Sequence, residues 1–272
     1  MAHSSIRVLS APVLSSESVN ALIRAFEGEI KKAPKTGRRH FNEALRKRFM
    51  ADHRVFGTVL SVLDSPEVSA YVAARCVMPY VDHVDLLIKD PGAPETFWHQ
   101  DAPYWDWDEP RSMFTIWVTL VDVDEQNGCL RVVTSALDTI LPHRKISHDK
   151  GVGNSQLALD LDFPGDSLTI QSLPLKAGGA VIFDSFVPHS SYANGVGKHR
   201  FAFKIVIGDR HRRATDKGGK FMSLHGLTHE VDRQLKYLAS FLLLNAKGKV
   251  RSGLRVGRRY IRRAPQKPLG GS

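Results

Sequence analysis

Between residues 80 and 208 the chain repeats one kind of segment. "YVDHVDLLIK" (80–89), "SMFTIWVTLVDV" (112–123), "GCLRVV" (128–133), "SLTIQSLPL" (167–175), "GAVIFD" (179–184) and "RFAFKIVIG" (200–208) are β-branched or aromatic runs bounded by Gly, Pro, Asp and Asn. Such runs read as strands. No helical pattern intervenes, so βαβ units are excluded, and an antiparallel barrel or a pair of packed sheets is expected. The segment 138–166 is polar and broken by Pro142, Gly151, Gly153 and Pro164. It is too long for a plain turn and reads as a lid or substrate loop.

The flanks have a different period. Val19, Leu22, Ile23, Phe26 and Ile30 recur at helical spacing, with Ser15 or Ser16 as cap. "SPEVSAYVAARC" opens with Ser65 as cap, Pro66 at the first helical position and Glu67 in the first turn. "PKTGRRHFNEALRKR" between them is basic and carries no clear period. After the strands, "EVDRQLKYLASFLLLNA" (230–246) places Val231, Leu235, Leu238 and Leu242 on one helical face. The expected organisation is one domain over 1–246, helical over 1–79, β-rich over 80–208 and closed by a helix at 228–246, followed by a tail at 247–272.

Charge supports that division. The formal net charge is +10, yet residues 247–267 hold nine Lys or Arg and no acid, so the rest is within about one charge of neutrality. A basic tail suits an anionic lipid, a nucleic acid or an acidic partner, or it is a solvated end. No nucleic-acid-binding motif accompanies it, and Tyr260 alone interleaves an aromatic. Hydrophobic content of 42% suffices for a sizeable core. No apolar run is long enough for a membrane span, and "MAHSSIRVLSAPVLSS" lacks the apolar stretch of a secretory signal. Cys76 and Cys129 lack both disulfide-framework and zinc-site spacing, so a reducing cytoplasm is the expected setting.

The stretch "ETFWHQDAPYWDW" (95–107) concentrates the candidate chemistry. Alternate residues on a strand point to one side, so His99 and Asp101 can aim an imidazole and a carboxylate at one point. Two histidines and one carboxylate suit a non-haem Fe(II) oxygenase, because three positions on the iron stay open. A lone His-x-Asp recurs by chance, and a third ligand has to come from another strand. Of the twelve histidines, His189 stands out, in "GGAVIFDSFVPHSSYANG" after a strand launched by Gly178-Gly179. Arg200 follows it by eleven residues and enters a strand where Phe201, Phe203 and Ile205 alternate. Arg200 therefore faces the other side, with Ala202. An unpaired guanidinium inside a barrel is costly, and a carboxylate held by its planar fork would satisfy it. Asp82, His83 and Asp85 on the preceding run read, by their alternation, as a solvent face.

Taken together, these segments resemble the phytanoyl-CoA dioxygenase family of Fe(II)- and 2-oxoglutarate-dependent oxygenases. "FWHQD" is similar to the family's H-x-D motif, "EQNGCLRVVTSA" (125–136) to its following turn and strand, and "PHSSYANGVGKHR" (188–200) to its distal His, Ser, Asn and Arg. The resemblance covers about residues 80–208, and a helical N-terminal third is consistent with it. It implies a mainly β fold with flanking helices: a double-stranded β-helix, or jelly roll of the cupin kind. It implies that His99, Asp101 and His189 bind Fe(II), that Arg200 and Ser191 hold the distal carboxylate of 2-oxoglutarate, and that Trp117 lines the cosubstrate pocket. O2 is the third reactant, and a small organic molecule is hydroxylated, with desaturation or ring closure as alternatives at the same site. A carboxylate at Asp101, where related halogenases carry a small residue, favours hydroxylation. Tyr104, Trp105 and Trp107 either wall the substrate pocket or cover the barrel rim. The chain departs from the family at "TSALD" (134–138), where "PGSH" is common.

Overall fold

The computed structural model describes residues 5–32, 53–77, 79–104, 113–135, 139–146, 156–159 and 168–209. The anticipated helix at 228–246, the basic tail at 247–272, and Trp105 and Trp107 lie outside the described residues. All described elements belong to one compact unit.

The chain begins with a short strand, β1 (Ile6–Val8), which the sequence reading placed inside a helical third. Among the described residues three α-helices follow before the next strand: α1 (Ser16–Lys32), α2 (His53–Asp64) and α3 (Pro66–Arg75). At the start of α1 the Ser15 hydroxyl accepts the Ser18 N–H at 3.2 Å, a cap that satisfies one of the free N-terminal amides. Helix α3 begins at Ser65-Pro66 as expected, but Ser65 makes no side-chain cap; its hydroxyl donates back to the Val62 carbonyl.

The strands are β2 (Pro79–Lys89), β3 (Thr96–His99), β4 (Phe114–Thr119), β5 (Leu130–Val133), β6 (His143–Ile146), β7 (Gln156–Leu159), β8 (Ile170–Leu173), β9 (Ala180–Asp184), β10 (His189–Ser191) and β11 (Arg200–Asp209). They form a five-stranded sheet in the order β1-β9-β4-β11-β2, a four-stranded sheet in the order β3-β10-β5-β8, and a separate β6–β7 hairpin. Every pairing is antiparallel. The two strands of the hairpin lie inside the segment 138–166 read as a lid.

Alternation along the large sheet makes two cores. Leu86, Ile88, Ile116, Val118, Ile182, Phe201, Phe203 and Ile205 project outward and bury Leu22, Phe26, Val62 and Val68 of the helices. Trp117, Val181, Phe183 and Ala202 project inward against Leu130, Val132 and Leu173 of the small sheet and Val187 of the turn before β10. The helices thus cover the outer face of a double-sheeted jelly roll. At Gly178 the turn into β9 has φ +83°, and a Cβ would lie 2.5 Å from the Leu14 carbonyl oxygen, so only glycine fits without strain.

Candidate metal centre

Strand β3 ends at His99, which stands directly opposite His189 in the β3–β10 register. Their rings lie 4.2 Å apart between centroids. Asp101 enters on the turn that follows β3, held where the Ala102 N–H donates to the Ser185 carbonyl at 3.0 Å. Its Oδ1 lies 3.9 Å from His189 Nε2. One donor atom from each of His99, Asp101 and His189 falls within 4.8 Å of the others. Among the described residues this is the one cluster of His, Cys, Asp or Glu arranged to hold a metal.

Each donor is oriented by a second group. His99 Nδ1 lies 2.8 Å from the Phe97 carbonyl, and His189 Nδ1 lies 2.9 Å from the Val187 carbonyl. A carbonyl only accepts, so both Nδ1 atoms carry the proton and both Nε2 lone pairs are left for a metal. The Thr115 hydroxyl donates to Asp101 Oδ2 at 2.8 Å, leaving Oδ1 on the side of the imidazoles. Burial, and next the charge of His189, push the His99 imidazole down to about 3. Burial likewise lowers His189. For Asp101 burial acts upward, but the charges of Lys204, His189 and His99 and the Thr115 hydrogen bond outweigh it and hold the carboxyl below its ordinary value. Two neutral imidazoles and one carboxylate are the protonation states a divalent ion requires.

Arg200 begins β11 and is 4% exposed, facing inward as the alternation requires. Its Nε and Nη1 have no hydrogen-bond partner. Its guanidinium carbon lies 5.7 Å from the Trp117 ring, so these two residues share one end of the interior. Burial pushes Arg200 down to about 10, so it stays charged at neutral pH. Ser191 is buried two residues beyond His189, with its hydroxyl 2.8 Å from that of Thr96.

Tyr104 differs from a free aromatic wall. Its ring stands edge-on to His99 at 6.2 Å, and its hydroxyl takes the Leu157 N–H at 2.7 Å and donates to the Leu157 carbonyl at 3.1 Å. It therefore ties the β6–β7 hairpin to the metal cluster. Gln100 makes a second tie, which the sequence did not signal. Its backbone N–H donates to His143 Nε2, its amide donates to the Thr139 and Phe186 carbonyls, and its amide oxygen accepts the Leu141 N–H.

Two more inward residues were missed. Thr115 shares the alternation of Trp117 on β4, and that period was the available signal. Lys204 follows Arg200 and Ala202 on the inner face of β11. Asp82, His83 and Asp85 do not form the open solvent face that their alternation suggested. All three are partly buried, and Asp85 stands opposite Lys204 across the β2–β11 pair.

The model of the phytanoyl-CoA dioxygenase family matches residues 11–202. The chain belongs to this family. The family is one of Fe(II)- and 2-oxoglutarate-dependent oxygenases. As a member, the chain is 28% identical over 133 residues to phytanoyl-CoA dioxygenase domain-containing protein 1 of Danio rerio, covering 48% of this chain and 46% of that protein. It is 28% identical over 151 residues to the protein of the same name from Mus musculus, covering 54% and 51%. The chain thus spans about half the length of the curated relatives it matches. Among solved structures it resembles EvdO2 from Micromonospora carbonacea var. aurantiaca, with a TM-score of 0.53 at 23% identity over 75% of this chain and 86% of that one. The complex of EvdO2 with 2-oxoglutarate matches with a TM-score of 0.52 at 22% identity, over 75% and 86%. These likenesses show a shared fold. No described helix is long and apolar enough to cross a membrane.

Proposed function

We propose that this family member is an Fe(II)- and 2-oxoglutarate-dependent dioxygenase that hydroxylates an unactivated C–H bond of a small organic molecule. The observation that carries the reading is the pairing of two features in one interior. Three donors converge on a point, each held by a second group. Beside them stands a buried arginine whose Nε and Nη1 lack partners.

His99, His189 and Asp101 would hold the iron, and their donor chemistry fits it, leaving positions for a chelating cosubstrate and O2. Arg200 would take the distal carboxylate of 2-oxoglutarate in its planar fork, with the Ser191 hydroxyl as a second donor and Trp117 as an apolar wall. Bound iron with 2-oxoglutarate supplies the oxidising power: the 2-oxo acid is oxidised to succinate and CO2, one atom of O2 entering succinate and the other the substrate C–H bond. Thr115 keeps Asp101 turned toward the metal. Tyr104 and Gln100 hold the hairpin against the ligand segment. The substrate classes compatible with this site are lipid-like, amino-acid-derived and natural-product intermediates, and Tyr104 is assigned to the edge of their pocket.

The test is an anaerobic titration with Fe(II) and 2-oxoglutarate, followed by visible absorption for the iron–2-oxo acid chelate, and succinate release in air. Wild-type protein should show both. His99→Ala and His189→Ala should show neither, and undiminished iron binding in both variants overturns the assignment.

A further inference from the structure

Lys204 is the second cation on the inner face of β11. Arg200, Ala202 and Lys204 alternate inward along that strand, so the two charged residues start about 13 Å apart, with the smallest side chain between them. Arg200 is sealed, whereas the Lys204 side chain is 21% exposed. Lys204 therefore lies toward the more open side.

The ammonium is loosely held. Its ion-pair partner among the described residues is Asp85, at 3.7 Å, longer than a hydrogen bond. Asp85 is not dedicated to it, since His83 Nε2 lies 3.5 Å from the same carboxylate oxygen. An ammonium has three donors and no acceptor, so a partly buried one favours further oxygen partners. After burial itself, which acts against the charge, the groups that favour the charged form are led by Asp101 and then Asp85. The first of these is the carboxylate of the metal triad. With a divalent ion on Asp101 that negative charge would be shared with the metal, leaving Asp85 as the carboxylate beside Lys204. Loading the metal site thus raises the need for an anionic oxygen at Lys204.

We propose that Lys204 holds a carboxylate on the open side of the metal centre. The inference rests on the oxygenase reading above. The carboxylate has two sources: the metal-chelating end of the 2-oxo acid, or an acid group of the molecule to be oxidised. In the second case Lys204 selects carboxylic-acid substrates and orients them so that the reacting C–H bond faces the iron.

The experiment uses anaerobic Fe(II)-loaded protein in two arms, with wild type, Lys204→Met, Lys204→Gln and Lys204→Arg, each checked by circular dichroism. The first arm measures 2-oxoglutarate affinity from the chelate absorption. The second adds hexanoate or methyl hexanoate to protein saturated with 2-oxoglutarate and follows binding by calorimetry. If the chelating carboxylate is the partner, Lys204→Met and Lys204→Gln weaken 2-oxoglutarate by at least about tenfold, the scale of a lost charge-assisted hydrogen bond, and Lys204→Arg recovers part of it. If a substrate acid is the partner, 2-oxoglutarate binds as in wild type, hexanoate binds more tightly than its ester, and the neutral variants lose that preference. The role of Lys204 is overturned if the variants match wild type in both arms. A wild-type protein that forms no chelate overturns the oxygenase reading, and this inference falls with it.

Discussion

Replacing Arg200 by methionine should stabilise the ligand-free protein while removing its grip on 2-oxoglutarate. In the free protein the guanidinium is buried, its Nε and Nη1 are unbonded, and burial lowers it from its ordinary value to about 10. That difference is worth about 3 kcal/mol against the charged form, at roughly 1.4 kcal/mol for each tenfold change. The cost applies wherever Arg200 is charged in both states. It fades only as pH rises above about 10, where the folded protein gives up the proton that the unfolded chain still holds. Methionine keeps much of the apolar stem and drops the charge, at the expense of the contact with Trp117, which is worth about 1 kcal/mol. The net gain is about 1–2 kcal/mol, or about 2–8 °C in Tm for a chain of this size. The opposite effect is expected with cosubstrate. Loss of two charge-assisted hydrogen bonds should weaken 2-oxoglutarate by at least about a hundredfold. Thermal melting with and without 2-oxoglutarate, in the presence of Co(II), reads both effects. Wild type should melt lower when free and rise with cosubstrate, whereas Arg200→Met should melt higher and barely respond. A variant that melts below wild type and still gains the full shift from 2-oxoglutarate refutes the reasoning.

Three further outcomes concern the same interior. Thr115→Val keeps shape but removes the hydroxyl that turns Asp101, so metal affinity should fall by about 10- to 100-fold with little change in fold, measured by Co(II) titration. Because burial and His189 hold His99 near 3, and burial also lowers His189, Co(II) binding should fall off at lower pH than it would with free imidazoles, which compete with protons near their ordinary value. The same depression of His99 makes the metal-free fold lose stability as pH falls below about 6.5 and toward 3, since only the unfolded chain takes up that proton. A binding curve that halves near pH 6.5 counts against the depressed imidazoles.

The β-rich middle of the chain was legible because period-2 patterning is local. Runs at 80–89, 179–184 and 200–208 correspond to β2, β9 and β11 within a residue or two. The short strands were not: β1 and β10 have three residues each, too few to show a period, and they are strands because their partners pair with them. The β6–β7 hairpin stayed hidden in polar sequence, since what holds it is the reach of Gln100 and Tyr104 from the ligand turn.

The candidate site divides in the same way. By itself the sequence determined which residue types were on offer: an imidazole and a carboxylate two positions apart, a later histidine, and an arginine placed inward by the alternation of its strand. Composition and spacing carry that much because side-chain direction on a strand is set by the local backbone. Only the tertiary structure decided that His99 faces His189 across a strand pair, and that Thr115 turns Asp101 toward them. It also decided that Asp85 looks inward at Lys204 and not out to solvent. These relations join residues tens of positions apart, and sheet pairing rather than local pattern brings them within hydrogen-bond and Coulomb range.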